Sequence, residues 1–196
     1  MPNLVFATNN PHKIAEIKAQ LGGAYDFLSL KDIGCHEEIP ETTGTLAGNA
    51  KQKAHFVKDH YGYDCFSEDT GLEVDALGGE PGVDTAHFAG QERSAEANNA
   101  KVFAGLAGKA ERTARFRTFI CLLLNGEEHL FEGRCEGHIT EELRGEEGFG
   151  YDPIFAPAEG DGRTFAEMSG TEKRQFSHRA RAMAKLQDFL RQNTAG

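Results

Sequence analysis

Asn125-Gly126 stands between two long arms, RTARFRTFICLLL and EEHLFEGRCEGHIT, and this feature limits the fold of the chain most strongly. Asn-Gly suits the left-handed torsions of a tight type I′ turn, so the arms read as a long antiparallel hairpin. A sheet containing that hairpin cannot be all parallel. Elsewhere strand and helix patterns intermingle. NLVFAT, residues 3–8, is a short apolar run suited to a buried strand. Asn9, Asn10 and Pro11 supply loop and helix-start signals, after which Ile14, Ile17 and Leu21 recur at helical spacing until Gly22-Gly23 ends the pattern. YDFLSL reads as a second strand, Leu46, Ala50, Ala54 and Val57 mark a helix running to about His60, and YDCFS, residues 63–67, reads as a short strand. Residues 95–106 read as helical. Ser169 and Glu172 fit a capping box, and Ser177 suits the cap of a helix whose Met183, Leu186, Phe189 and Leu190 form an apolar stripe. The combination predicts a mixed α/β protein.

The chain has 196 residues, which fits one domain over 1–196 with room for two lobes. Its net charge of −10 argues against a broad nucleic-acid or anionic-membrane surface, because either needs a dominant basic field. Any bound anion must therefore find its countercharge locally. MPNLVFATNN has no basic leader and an apolar run too short for a signal or membrane segment, so a cytoplasmic location is expected. Cys35, Cys65, Cys121 and Cys135 form no CxxC pair and read as buried free thiols.

Four polar clusters are candidates for chemistry. In TNNPHK, Thr8 to Lys13, a polar turn between a buried strand and a helix can offer backbone N–H groups and the positive end of the helix dipole to a phosphate, with Lys13 as countercharge. An ordinary helix cap with a solvated lysine is the plainer reading, since the glycine pattern of a P-loop is absent. Glu41, with Lys51 and Lys53 on the following helix, gains meaning only if other carboxylates converge on it. SEDTGLEVDALGGEPGV, residues 67–83, groups Glu68, Asp69, Glu73 and Asp75 at what reads as the end of a strand. Such carboxylates can hold Mg²⁺, a hard ion that takes oxygen ligands and keeps waters; an acidic turn fits the stretch equally well. The fourth cluster is split between GFGYDPIF and EKRQFSHRAR. Phe149 and Tyr151 can stack on a planar base, Asp152 can accept from its ring N–H or ribose, and Lys173, His178 and Arg179 can pair with phosphate or an exocyclic oxygen. A glycine-bounded turn and a basic helix face would look the same. Together the four clusters contain the parts needed to bind a nucleoside triphosphate with Mg²⁺.

FATNNPHKIAEI, SEDTGLEVDALGGEPGV, GFGYDPIF and FAEMSGTEKRQFSHRARAM, four motifs in order over nearly the whole chain, resemble the inosine triphosphate pyrophosphatase family, whose bacterial members are XTP/dITP diphosphatases. The resemblance implies an elongated, two-lobed, mixed-sheet α/β fold with flanking helices and a nucleotide cleft between the lobes. It implies hydrolysis of ITP, dITP and XTP to monophosphate and pyrophosphate with Mg²⁺, by a homodimer. On this chain Glu41 and Asp69 would hold the metal, with Asp69 also the proton acceptor. Thr8, Asn9, Asn10, Pro11, His12 and Lys13 would wrap the triphosphate. Thr70, Phe149, Gly150, Tyr151, Asp152, Lys173, His178 and Arg179 would contact substrate, and Lys53 would join Lys13 and Lys173 in offsetting phosphate charge. The chain departs from the family's usual two aspartates and serine at Glu68, Asp69 and Thr70. It also has Gly48 where the family often has a glutamate. Two rivals are a Maf-like nucleotide pyrophosphatase of other specificity and a nucleotide-binding protein without catalysis.

Overall fold

The computed structural model describes residues 3–21 and 26–194. Gly22-Gly23 and the first residue of YDFLSL lie outside the described residues. In chain order the elements are β1 (Asn3–Phe6), α1 (Pro11–Leu21), β2 (Asp26–Ser29), α2 (Leu46–Tyr61), β3 (Cys65–Val74), α3 (Ala95–Leu106), β4 (Thr113–Leu124), β5 (Glu127–Ile139), β6 (Phe155–Pro157), α4 (Gly170–Arg174) and α5 (His178–Thr194). Six strands form one sheet in the order β2-β1-β3-β4-β5-β6. β1 pairs in parallel with β2 and β3, whereas β6 runs antiparallel to β5, so the fold is mixed α/β. Asn125 and Gly126 both have positive φ, at 52° and 84°, as a turn joining β4 to β5 through these two residues requires.

The strand read at residues 63–67 is too short: β3 runs for ten residues, Cys65–Val74, through Glu68, Asp69 and Glu73, and ends before Asp75. Inside the sheet its backbone groups are met by neighbouring strands, and Phe66, Leu72 and Val74 are fully buried along it. The turn comes later, where Gly78, Gly79 and Gly82 take positive φ.

The chain divides into two compact units. The first comprises Met1–Asp69, Thr118–Gly133 and Ala180–Gly196, so far as these are described. Its strands are covered on both faces, which explains runs as apolar as FICLLL. Successive side chains of a strand point to opposite faces. Thus Leu4, Phe6, Ile120 and Leu122 meet Ile17 of α1 and Met183, Leu186 and Leu190 of α5, while Val5, Cys121 and Leu123 meet Ala50, Ala54 and Val57 of α2. The predicted stripe on α5 is the face that docks, with Phe189 at its margin.

The second unit comprises Thr70–Arg117 and Arg134–Arg179. Leu72 and Val74 of β3, Phe116 of β4 and Ile139 of β5 pack there with Val102 and Leu106 of α3 and with Tyr151, Phe155 and Phe165. Gly137 has no room for a side chain, because a Cβ would strike the Ala156 carbonyl and the Phe155 ring. α4 opens on the predicted capping box: Ser169 Oγ accepts from the Glu172 N–H, and the Glu172 carboxylate accepts from the Ser169 N–H. All four cysteines are buried free thiols. Among the described residues no helix is long and apolar enough to cross a membrane.

Candidate functional site

Asp69 ends the first unit and Thr70 begins the second.

In the first unit α2 follows Thr45, whose hydroxyl caps it by accepting from the Gly48 N–H. Its buried stripe is Leu46, Asn49, Ala50, Lys53, Ala54 and Val57, so helical spacing carries Lys53 inward. The preceding loop is tied to the same helix. The Thr42 N–H donates to Gln52 Oε1 at 2.8 Å and the Thr43 N–H to Asn49 Oδ1 at 3.1 Å, which fixes where Glu41 can reach. Lys53 Nζ then donates to Glu41 Oε1 at 2.6 Å and to the Glu68 carbonyl at 2.7 Å, and lies 3.6 Å from Asp69 Oδ1. Lys51, the other lysine expected beside Glu41, turns instead to Glu128 at 2.8 Å. Gly48 fits because a Cβ there would strike the hydroxyls of Thr43 and Thr45.

Lys13 on α1 places Nζ 2.8 Å from Glu68 Oε1, and the Glu68 side chain is completely buried. Glu68, left open by the sequence, is thus the partner of Lys13. The turn before α1 is more fully satisfied than expected of a phosphate cradle: Asn10 Oδ1 accepts from the N–H groups of His12 and Lys13, at 3.0 and 3.3 Å. Asn10 therefore caps the helix, and a phosphate would have to share or displace that cap. The first turn of α1 carries no acidic side chain.

The electrostatics follow from burial and the neighbouring charges. Burial opposes the charge of Lys53, but Asp69 and Glu41 outweigh it and hold the ammonium above its ordinary pKa. Burial pushes the Asp69 carboxyl above its usual range; Lys53 and Lys13 pull the other way, while Glu41 and Glu68 add to the rise. Asp69 Oδ2 is buried with no hydrogen-bond partner. A desolvated carboxylate oxygen left unmet beside a second carboxylate is suited to a hard cation, so the residues present fit Mg²⁺. Among the described residues no group of three or more His, Cys, Asp or Glu is arranged as a metal cage. Two protein carboxylates with water and phosphate oxygens are the usual donor set for Mg²⁺.

In the second unit, Gly148 with φ 72° turns the chain into a tight loop, and a Cβ there would strike Asp152 Oδ2. That oxygen accepts from the Phe149 N–H at 3.0 Å and from Lys173 Nζ at 2.7 Å. Both side chains of the Lys173–Asp152 pair are nearly inaccessible. Lys173 also lies 5.0 Å above the Phe149 ring, and the Arg179 guanidinium 5.6 Å from it. Arg179 Nη2 donates to Thr70 Oγ1 at 3.3 Å. His178 is buried and stacks on Phe116 at 4.5 Å. The Tyr151 ring belongs to the core, with its hydroxyl donating to the Thr85 carbonyl at 2.6 Å. Phe149, by contrast, is half-buried and lies outside that core cluster. Glu73 and Asp75 pair with Arg117 at 3.1 Å and Arg115 at 2.8 Å, and so serve the sheet rather than a metal.

Sequence reasoning missed Asn98 and Asn99, both buried on α3. Their only signal was two consecutive amides in a helix otherwise rich in alanine. Of the residues that it named, Glu41, Lys53, Asp69 and Lys13 come together in the first unit, and Asp152, Lys173, Phe149 and Arg179 in the second.

A model of the Ham1 family matches residues 4–189. A dITP/XTP pyrophosphatase of Flavobacterium psychrophilum is 50% identical over 188 residues, covering 96% of this chain and 98% of that protein. One from Christiangramia forsetii is 52% identical over 187 residues, covering 95% and 98%. The solved structure of the Ham1 protein of Staphylococcus aureus superposes with a TM-score of 0.90 at 34% identity, covering 97% of this chain and 99% of that one.

Proposed function

Because the chain belongs to the Ham1 family, we propose that it hydrolyses the triphosphates of deaminated purines (dITP, XTP and ITP) to the monophosphate and pyrophosphate, clearing them from the nucleotide pool. The observation that carries the reading at the level of residues is the array Glu41–Lys53–Asp69 beside Lys13–Glu68, in which Lys53, Glu68 and Asp69 are buried and Glu41 is exposed. Its buried members set a lysine against two acids where burial would disfavour either charge alone, and the exposed Glu41 carboxylate leaves one side open, which suits a site for a polyphosphate and its cation.

Glu41 and Asp69 are the residues to hold Mg²⁺, which when bound would neutralise triphosphate charge and stabilise charge on the transferring phosphoryl group. Asp69 orients water toward the α-phosphorus and accepts its proton; desolvation, which raises its pKa, favours that role. Lys13 and Lys53 offset phosphate charge, and the segment Thr8 to His12 lines the triphosphate. In the second unit Lys173 fixes Asp152, Phe149 stacks on the purine, and Gly150 and Thr70 contact the nucleotide. Arg179 and His178 donate to the six-keto oxygen. Adenine's amino group leaves those donors unpaired, and a site built on such hydrogen bonds can reject the analogue by roughly 10⁴. The same reading takes the protein as a cytoplasmic homodimer.

Steady-state hydrolysis of ATP, GTP, ITP, dITP and XTP with Mg²⁺ tests the proposal, with pyrophosphate and orthophosphate both measured. Equal turnover across the panel would overturn the selectivity, and orthophosphate as first product would overturn cleavage of the α–β bond. Asp69→Asn is expected to abolish turnover while the far-ultraviolet circular dichroism is unchanged.

A further inference from the structure

We propose that Asn99 is a positioning residue for base recognition, acting through the carbonyl of Gly150. The inference rests on the reading above, in which the 149–152 turn meets the nucleotide. α3 is capped by Ser94, whose hydroxyl accepts from the Ala97 N–H, and it presents two consecutive buried amides. They have different tasks. Asn98 braces the segment before the helix: its Oδ1 accepts from the Ala89 N–H at 2.7 Å and its Nδ2 donates to the Ala86 carbonyl at 3.1 Å. Asn99 Nδ2 instead donates to Gly150 O at 3.2 Å, across 51 residues of sequence.

The turn it reaches is held at three points. Lys173 and the Phe149 N–H hold Asp152, and the Tyr151 hydroxyl donates to the Thr85 carbonyl. Thr85 is itself fixed, because its hydroxyl accepts from the Leu72 N–H of β3 and donates to the Gly82 carbonyl. Gly150 lies between these anchors, with φ 61° and no atom within 4 Å of where a Cβ would stand. No side chain of its own can lock it, so the peptide that follows it is the loose joint of the turn. The Asn99 amide is the group that sets which way that carbonyl points.

The second observation is that Asn99 Oδ1 is buried with no hydrogen-bond partner. An unmet buried acceptor is unfavourable, and an apolar side chain would fill the position without that cost. The amide's one hydrogen bond is therefore the feature that accounts for it. Orienting the carbonyl of Gly150 orients the peptide that follows Phe149 and Gly150, the residues assigned above to the purine and the nucleotide.

The test uses the full chain and two probes: inosine monophosphate, bound in metal-free buffer and followed by calorimetry, and the ITP-to-ATP ratio of kcat/KM. Asn99→Asp keeps the shape and removes the donor; Asn99→Ala removes both. Ser94→Ala uncaps the same helix without touching the turn and serves as the stability control. Both Asn99 variants are expected to weaken binding of inosine monophosphate about fivefold or more, the loss of one buried hydrogen bond. The ITP-to-ATP ratio should fall, with KM changing more than kcat. Ser94→Ala should lower the melting temperature and leave both readouts alone. Unchanged affinity in Asn99→Asp, or an equal loss in Ser94→Ala, would overturn the proposal. So would loss of the folded state in both Asn99 variants, which would make the residue structural only. Failure of the wild-type chain to bind inosine monophosphate or prefer ITP would instead refute the proposed function, a separate result.

Discussion

Asp152→Asn removes the charged partner of Lys173 while keeping the size of the side chain. The two groups lie 2.7 Å apart, with 4% of the Asp152 side chain and 7% of the Lys173 side chain exposed. At an effective dielectric constant of about 20 their attraction is about 6 kcal/mol. Desolvation of both ions offsets most of it, so the intact pair contributes little net stability compared with an apolar pair. Removing one partner is different: the desolvation of the other remains uncompensated, at about 3–5 kcal/mol. The Phe149 N–H can still donate to the asparagine carbonyl, which places the loss near ~3 kcal/mol. In a chain of this size that lowers the melting temperature by roughly 6–12 °C. The assay is urea and thermal unfolding of Asp152→Asn, Lys173→Met and the double variant. The double variant should recover much of the loss, with a coupling of about 2 kcal/mol or more. A loss below about 1 kcal/mol in Asp152→Asn, or strict additivity in the cycle, would refute the argument, because the pair would then be behaving as a solvated one.

Gly148→Ala forces a side chain onto a backbone with φ 72° and against the Asp152 carboxylate. It is expected to cost about 2 kcal/mol or more in urea unfolding and to weaken inosine monophosphate binding; wild-type stability would refute this. Glu172 is held down to about 2, first by its hydrogen bond from Arg163 and then by that from the Ser169 N–H. The lowered value means that its contribution to α4 is present above the unfolded value of about 4.5 and is lost as pH falls through about 2. Carboxyl NMR should find a Glu172 midpoint near 2, absent in Glu172→Gln; a midpoint near 4.5 would contradict the capping geometry.

Much of the fold was legible because its signals are local. Asn125-Gly126 announced the hairpin, the spacing of Ile14, Ile17 and Leu21 announced α1, and Ser169 with Glu172 announced the capping box, each within a few residues of sequence. The residue types of the site were legible too, since carboxylates, lysines and a glycine-bounded aromatic turn carry their chemistry wherever they lie.

What the tertiary structure decided was which of them meet. Periodicity at Tyr63 to Ser67 gave the start of β3 but not its continuation through Glu68 and Asp69, because neighbouring strands and the packing of Phe66, Leu72 and Val74 hold those residues extended. Glu41, Glu68, Asp69, Lys13, Lys51 and Lys53, six acids and lysines spread over two helices, a loop and a strand, looked alike in sequence. Helical rotation sent Lys53 inward to Glu41 and Asp69 and left Lys51 for Glu128. The role of Glu68 depended on Lys13, and that of Asn99 on Gly150, contacts that only chain folding brings within hydrogen-bond reach. Sequence by itself determined the helices, the hairpin and the stock of reactive groups, because these depend on near neighbours. Partner choice and burial depend on residues far away in the chain, and these only the folded structure could assign.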